Sequence, residues 1–180
     1  MRVHILGASG SGTSTLAGAL AAALGTAHLD TDDYFWEPTD PPFQRARPPE
    51  TRLSLLSADL DRHRSWVLSG SLCGWGDPLI HRFDLVVFLW AAEAVRLGRL
   101  RAREREQFGA DALAPGGAMH ENHETFIAWA ASYDDGDLSM RSRARHEAWL
   151  SLLPCPVVRL EGVAPVAEQV AAVLVECRAR

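Results

Sequence analysis

The sequence predicts a single α/β domain, a five-stranded parallel sheet with helices on both faces, spanning residues 1–180. Three observations predict it. Five short, apolar, largely branched runs alternate with helical stretches. The first run stops at a glycine-rich loop that opens directly into a helix. No repeat or linker divides the 180 residues, and 47% hydrophobic content suffices for one buried core.

Val3-His4-Ile5-Leu6 is the first strand, a short buried run ended by Gly7. From Ser14 the alanine- and leucine-rich stretch is a strong helix former, and Gly25 stands where a C-cap is expected. Ala27-His28-Leu29 is a second strand leading into Asp30-Thr31-Asp32-Asp33. Residues 36–50 hold five of the ten prolines, with Trp36, Phe43, Arg45 and Arg47 between them, and predict an extended surface loop. Helical spacing resumes over Thr51 to His63 through Leu53, Leu56 and Leu60. Trp66-Val67-Leu68 is a third strand closed by Ser69-Gly70-Ser71, and Leu85 to Leu89 is the strongest strand of the chain. An arginine-studded helix is expected from Ala92 to Phe108, a glycine- and proline-marked break from Gly109 to Ala118, and helices over 121–132 and 138–152. Val157 to Leu160 is the fifth strand, and Val166 to Cys177 an amphipathic last helix.

Gly7-Ala8-Ser9-Gly10-Ser11-Gly12-Thr13-Ser14 fits the phosphate-loop pattern G-x-x-x-x-G-K-[ST] everywhere except the lysine. Glycines at these places let successive N–H groups turn inward around phosphate oxygens, and the helix N-terminus adds open donors and a positive dipole end. Gly7, Ser9, Gly10, Ser11, Gly12, Thr13, Ser14 and Thr15 are therefore the expected contacts to a nucleoside triphosphate, ATP first. Ser14 stands where a hydroxyl ligates Mg²⁺.

Thr13 occupies the lysine position. A unit charge about 4 Å from a phosphate is worth about 4 kcal/mol at an effective dielectric near 20. A helix dipole supplies only about 0.3–1 kcal/mol. Threonine offers one hydrogen bond and no charge, so an arginine must come from elsewhere or the chain binds nucleotide without fast transfer. All 18 basic residues are arginine, so no lysine stands in. The candidates are Arg96, Arg99, Arg101, Arg103 and Arg105 on one helix, and Arg141, Arg143 and Arg145 further on.

Bulk properties narrow the partners. A net charge of −5 argues against nucleic acid and anionic membrane. No run of 18 apolar residues is present, and the opening Met-Arg-Val-His-Ile-Leu-Gly is too short in its apolar part for a secretory leader. Three widely spaced cysteines suit a reducing cytoplasm, where the protein is expected. His120-Glu121-Asn122-His123 departs from H-E-x-x-H and reads as a polar helix start.

With these motifs together, the chain resembles the small-molecule and nucleoside monophosphate kinases of the P-loop class, adenylate kinase-like with shikimate kinase-like features. The resemblance implies strand order 2-3-1-4-5, a helical lid over about residues 103–140, ATP and Mg²⁺ as cofactors, and a small acceptor. Leu29-Asp30-Thr31-Asp32 looks like the aspartate pair after the second strand of shikimate kinases. That likeness gives Asp30 a role toward the magnesium waters and Asp32 one toward the acceptor hydroxyl. The same residues also suit a helix cap and turn. Arg99 and Arg103, four apart on one helix face, are similar to the lid entry of adenylate kinases, which implies Arg99 near adenine and Arg103 near the phosphates. A solvated helix with pairs such as Arg101–Glu104 is the alternative. Tyr133-Asp134-Asp135 before Arg141-Ser142-Arg143 resembles the lid-closing stretch, whose arginines clamp the transferring phosphate. An ordinary charged helix fits that stretch as well. Ser69-Gly70-Ser71-Leu72-Cys73 departs from the Asp-Gly-Phe-Pro-Arg of adenylate kinases, which leaves the acceptor open.

Overall fold

A computed structural model describes residues 1–178. The strands are β1 (Arg2–Gly7), β2 (Ala27–Asp30), β3 (Trp66–Ser69), β4 (Leu85–Trp90) and β5 (Val157–Glu161). They form one parallel sheet in the order β2-β3-β1-β4-β5, as expected. The helices are α1 (Thr13–Leu24), α2 (Thr31–Phe35), α3 (Pro49–Asp61), α4 (Glu93–Phe108), α5 (Ala110–Leu113), α6 (His120–Ala131), α7 (Arg143–Leu150) and α8 (Val166–Arg178).

Both faces of the sheet are covered, which is why the strands read as continuous apolar runs. Side chains alternate across each strand. Val3 and Ile5 of β1, with Leu85, Val87 and Leu89 of β4, pack on Leu16, Ala17 and Leu20 of α1 and Val173 of α8. Leu6, Val86 and Phe88 point the other way, into Leu56, Leu60, Trp66 and Trp149. A small third cluster, Leu97, Leu100, Ile127 and Ala130, joins α4 to α6. At full burial each leucine in these layers contributes about 1.5–3 kcal/mol.

Two helix starts differ from the sequence expectation, each for a local reason, and three short elements are added. The last lid-side helix starts at Arg143 rather than 138, because Ser142 caps it by accepting the Arg145 N–H. Met140 and Arg141 therefore lie in the approach to the helix. The proline-rich segment is tied across by an antiparallel bridge between Trp36 and Ala46. α3 begins two residues early, because proline fits the first helical turn. The loop after β3 carries a 3₁₀ turn at Asp77–Arg82, and the break after α4 carries the one-turn α5.

Parallel register brings the functional segments to one edge. Ile5 and Asp30 both lie beside Ser69, and Gly7 lies beside Leu89. The glycine-rich loop, the aspartate pair and the Ser69-Gly70-Ser71 turn thus share the carboxyl ends of the neighbouring strands β1, β2 and β3, the end of open α/β sheets where ligands are placed.

Candidate functional site

The loop from Gly7 to Gly12 is shaped by close contacts that only glycine permits. A Cβ on Gly7 would lie 2.3 Å from the Leu89 carbonyl, and one on Gly10, at φ +82°, 2.6 Å from the Arg96 carbonyl. Gly12 precedes α1 without a side-chain cap, so the first-turn N–H groups stay open for an anion. Arg99 holds the carbonyl side of the loop: its Nη1 donates to Gly10 O (3.3 Å) and Ser11 O (3.2 Å), and its Nη2 to Gly162 O (2.8 Å). That guanidinium braces the loop against the turn after β5. Ser11 is buried, and its hydroxyl has no partner among the described residues.

Beside the loop lies a hydroxyl–carboxylate cluster. Ser14 Oγ, at the start of α1, donates to Asp30 Oδ2 (2.6 Å), and Ser69 Oγ, at the end of β3, donates to the same oxygen (2.6 Å). Asp30 Oδ1 accepts the Asp32 N–H (3.0 Å) and caps α2, so the cap and the cluster coexist in one carboxylate. His28 Nε2 sits 2.9 Å from Ser69 Oγ. Because the single Ser69 proton goes to Asp30, His28 must donate there, which assigns its proton to Nε2. One carboxylate and one hydroxyl beside a phosphate loop form a hard-oxygen donor set, which fits Mg²⁺ sharing its shell with phosphates and water. Ser69 and His28 were not singled out in the sequence. The only signal for them was a serine and a histidine at the carboxyl ends of adjacent strands.

Asp32 borders a cleft and has exposed surface, yet protein surrounds its carboxylate at longer range. Desolvation, then the charge of Asp30, raises its pKa, while Arg141 and Arg103 pull it down. Both arginines therefore lie within electrostatic reach of Asp32. Arg141 Nη2 donates to the Gly7 carbonyl (3.0 Å) at the root of the phosphate loop, its Nε is buried without a partner, and its guanidinium lies 6.0 Å from the Trp129 ring. Arg103 is exposed, 6.0 Å from the Phe126 ring.

The other cations are placed differently. Arg143 is exposed, 6.0 Å from the Trp90 ring, and donates its backbone N–H to Tyr133 O. Arg96 is fully buried: it donates to Ala91 O and Ala130 O and pairs with Asp134 at 2.8 Å. That ion pair locks α4 to the stretch after α6, a structural role. Arg145 donates to Ser139 O and packs under Gly74, where a Cβ would meet its Nη2 at 2.2 Å. Glu104 pairs with His123, and His120 bonds Leu113 O, so these side chains tie α4, α5 and α6 together.

A buried chain of hydrogen bonds underlies the site. Tyr133 OH lies 2.8 Å from His146 Nδ1, and His146 Nε2 lies 3.0 Å from Ser71 Oγ. Burial drives the His146 pKa down to about 3, with Arg141 and Arg145 adding to the effect, so the ring is neutral. Burial likewise raises the Cys73 thiol, which keeps it protonated and a poor nucleophile.

A five-stranded parallel sheet in the order 2-3-1-4-5 with a glycine-rich loop after β1 defines a P-loop protein of the kinase-like fold. Residues 3–125 match the family described as AAA domain, and the chain belongs to it. The Uncharacterized protein YqaC of Bacillus subtilis (strain 168) is 48% identical over 172 residues, 96% of this chain and 94% of that one. Among solved structures, the shikimate kinase from Bacteroides thetaiotaomicron is similar with a TM-score of 0.57 at 18% identity, covering 98% of each chain. The gluconokinase from Sinorhizobium meliloti 1021 is similar with a TM-score of 0.52 at 20% identity, covering 97% of this chain and 89% of that one. At such identities the likeness concerns the fold. Among the described residues no helix is long and apolar enough to cross a membrane.

Proposed function

We propose that this chain is an ATP-dependent phosphotransferase that moves the γ-phosphoryl group onto a hydroxyl of a small acceptor. The observation that carries the reading is the convergence, at the carboxyl ends of neighbouring strands, of the glycine-rich loop, the Ser14–Asp30–Ser69 cluster, Asp32, and Arg141 bonded to the Gly7 carbonyl. The fold shared with a shikimate kinase and a gluconokinase supports it.

In this reading Gly7 to Thr15 surround the ATP phosphates with N–H donors, and Ser14 and Asp30 hold Mg²⁺ directly or through its waters. The metal neutralises charge on the phosphate oxygens when bound. Asp32 accepts a hydrogen bond from the acceptor hydroxyl and takes its proton as the oxygen–phosphorus bond forms and ADP leaves. Little covalent chemistry is required of the protein, because positioning and charge stabilisation do most of the work. Arg141 supplies the charge that Thr13 lacks. Arg103 and Arg143 are secondary cations toward the transferring group, and Arg99 supports the loop from behind.

Thr13 itself favours a second reading, nucleotide binding without transfer. One experiment separates the two. Melting temperature is measured with and without Mg-ATP, then ADP release is followed against nucleosides, nucleoside monophosphates, sugars, shikimate and sugar acids. A rise in melting temperature with no acceptor-dependent ADP supports the second reading. No rise removes both.

A further inference from the structure

Between Asp32 and the proline-rich segment lies an open cleft of about 210 Å³, whose chemistry bears on the acceptor. Six residues define its character: Asp32, Asp33, Trp36, Glu37, Phe43 and Arg47. Trp36 and Phe43 meet edge to face, ring centroids 6.0 Å apart at 70°, and form an aromatic corner. The corner is braced from behind, because Phe35 packs on Trp36 at 4.8 Å and Arg52 caps Phe35 at 3.6 Å.

The corner also sits on ordered backbone. Glu37 N–H donates to Arg45 O and Arg47 N–H to Phe35 O, both at 2.8 Å, around the Trp36–Ala46 bridge. Phe43 has φ +65° and is 49% exposed. A bulky side chain in the left-handed region is uncommon and unfavourable, and such outliers gather at ligand sites. Here the backbone conformation holds an apolar ring open at the lip of the cleft that Asp32 borders.

The charges sort the ligand. Asp32 and Asp33 line the cleft as carboxylates, and Glu37 is paired with Arg45. Arg47, the one guanidinium lining it among the described residues, has Nη1 held by the Asp33 and Tyr34 carbonyls at 2.8 and 3.0 Å. Arg141, anchored on the Gly7 carbonyl, and Arg103 lie outside the cleft lining and act on Asp32 only through their charge. A phosphomonoester dianion in this cleft would meet two carboxylates and half a fork of donors, a repulsive balance. Carboxylates suit hydroxyl and ammonium donors, and aromatic faces suit the C–H side of a saturated ring. The volume lies below the range for drug-sized ligands, which favours one ring over two.

We infer that the acceptor is a single-ring polyol without phosphate or carboxylate, either a neutral monosaccharide or cyclitol or its amino derivative, seated on the Trp36–Phe43 corner with a hydroxyl on Asp32. The inference rests on the phosphotransferase reading. The test follows ADP release from Mg-ATP with glucose, myo-inositol and glucosamine. Glucose 6-phosphate, nucleoside monophosphates and hydroxy acids are run beside them, and product mass is checked. The expected result is acceptor-dependent ADP with at least one polyol or amino polyol, about tenfold or more above the anionic compounds, as the one excess carboxylate of the lining requires. The neutral and amino arms distinguish the two forms. Phe43→Gly, which relieves the backbone while removing the ring, and Trp36→Leu should each raise KM for that polyol by about fivefold or more, with kcat changed far less. Phe43→Tyr should keep KM.

Turnover of only phosphorylated or carboxylated acceptors overturns the inference. So does turnover of none while Mg-ATP raises the melting temperature, and so does an unchanged KM in both ring variants. If Mg-ATP produces no melting shift, the phosphotransferase reading itself has failed, a different and earlier result.

Discussion

Arg141→Ala should weaken ATP binding sharply, and Thr13→Lys should restore it. Arg141 is half-buried, anchored at 3.0 Å to the Gly7 carbonyl, and its charge opposes the rise that burial and Asp30 impose on the Asp32 pKa. A guanidinium about 4–5 Å from a phosphate group gains about 3–4 kcal/mol at an effective dielectric near 20. Partial exposure and salt reduce that to about 1.5–3 kcal/mol, a loss of about 10- to 100-fold in affinity. Without ligand, the variant loses one hydrogen bond to a carbonyl and its packing on Trp129. That costs about 1–2 kcal/mol, and a domain of moderate stability survives it. A lysine at position 13 projects from the first turn of α1, beside the loop. Placed in the Arg141→Ala background it should recover most of the affinity, and in the wild type it should add much less. That non-additivity is the signature of two residues doing one job. Calorimetric titration of Mg-ATP into the four proteins of this cycle reads it directly. Equal gains from Thr13→Lys in both backgrounds, or wild-type affinity in Arg141→Ala, would refute the substitution of one cation for the other.

Arg143→Ala should weaken ATP by about threefold at most, because its guanidinium is exposed over Trp90; parity with Arg141→Ala in the same titration would reverse that ordering. Arg96→Met should lower stability by about 3–5 kcal/mol, since Asp134 loses its buried partner and two carbonyls lose theirs; urea unfolding measures it, and a cost below 1 kcal/mol would contradict the locking role. Gly10→Ala should abolish the ATP-induced melting shift, because its Cβ would lie 2.6 Å from the Arg96 carbonyl at φ +82°; a normal shift would show a looser loop than the contacts demand. Burial holds His4 at about 4 and His146 at about 3, below the ordinary value near 6.5, so the unfolded chain binds more protons between those values. Their stabilisation is complete above pH 6.5 and is lost as pH falls toward 4 and 3, about 2 kcal/mol for each histidine at pH 5. Urea midpoints at pH 7.5 and 5.0 check this, and a flat profile would contradict neutral burial.

The fold was legible because a doubly covered parallel sheet writes its strands as plain apolar runs. Val3 to Leu6 and Leu85 to Leu89 need no partner information to be recognised. The loop was legible because Gly7, Gly10 and Gly12 are demanded by backbone shape. What spacing could not convey was the use of each arginine. Arg99 and Arg103 share a helix face, yet one is held by carbonyls of the loop and the other is exposed beside Phe126. That difference depends on where Gly162 and α6 pack, which is tertiary. The start of α7 was misjudged because Ser142, between two arginines, reads as helix interior until its hydroxyl is seen capping Arg145. In the sequence, the rings of Trp36 and Phe43 suit an acceptor pocket as well as plain loop packing; pairing of Trp36 with Ala46 is what gathers them into one corner.

The missing lysine changes how binding depends on the fold. In an ordinary phosphate loop the cation belongs to the first turn of the helix and is present whenever that turn forms. Here the charge proposed for the job hangs on the segment before α7, whose place is fixed by the Ser142 cap and by the Arg143 N–H bond to Tyr133. Tyr133 is in turn bonded to His146, and His146 to Ser71 at the end of the third strand's turn. The segment carrying the proposed cation, the stretch after α6 and the turn after β3 are therefore mechanically joined through one buried imidazole. Tyr133→Phe removes a link of this chain without touching the loop. It should lower ATP affinity by about two- to fivefold through Arg141, the fraction that one neutral hydrogen bond can transmit. In an Arg141→Ala background the same change should do nothing further to ATP affinity. An undiminished effect there, measured in the same titration, would mean that Tyr133 acts on the site by some route other than Arg141.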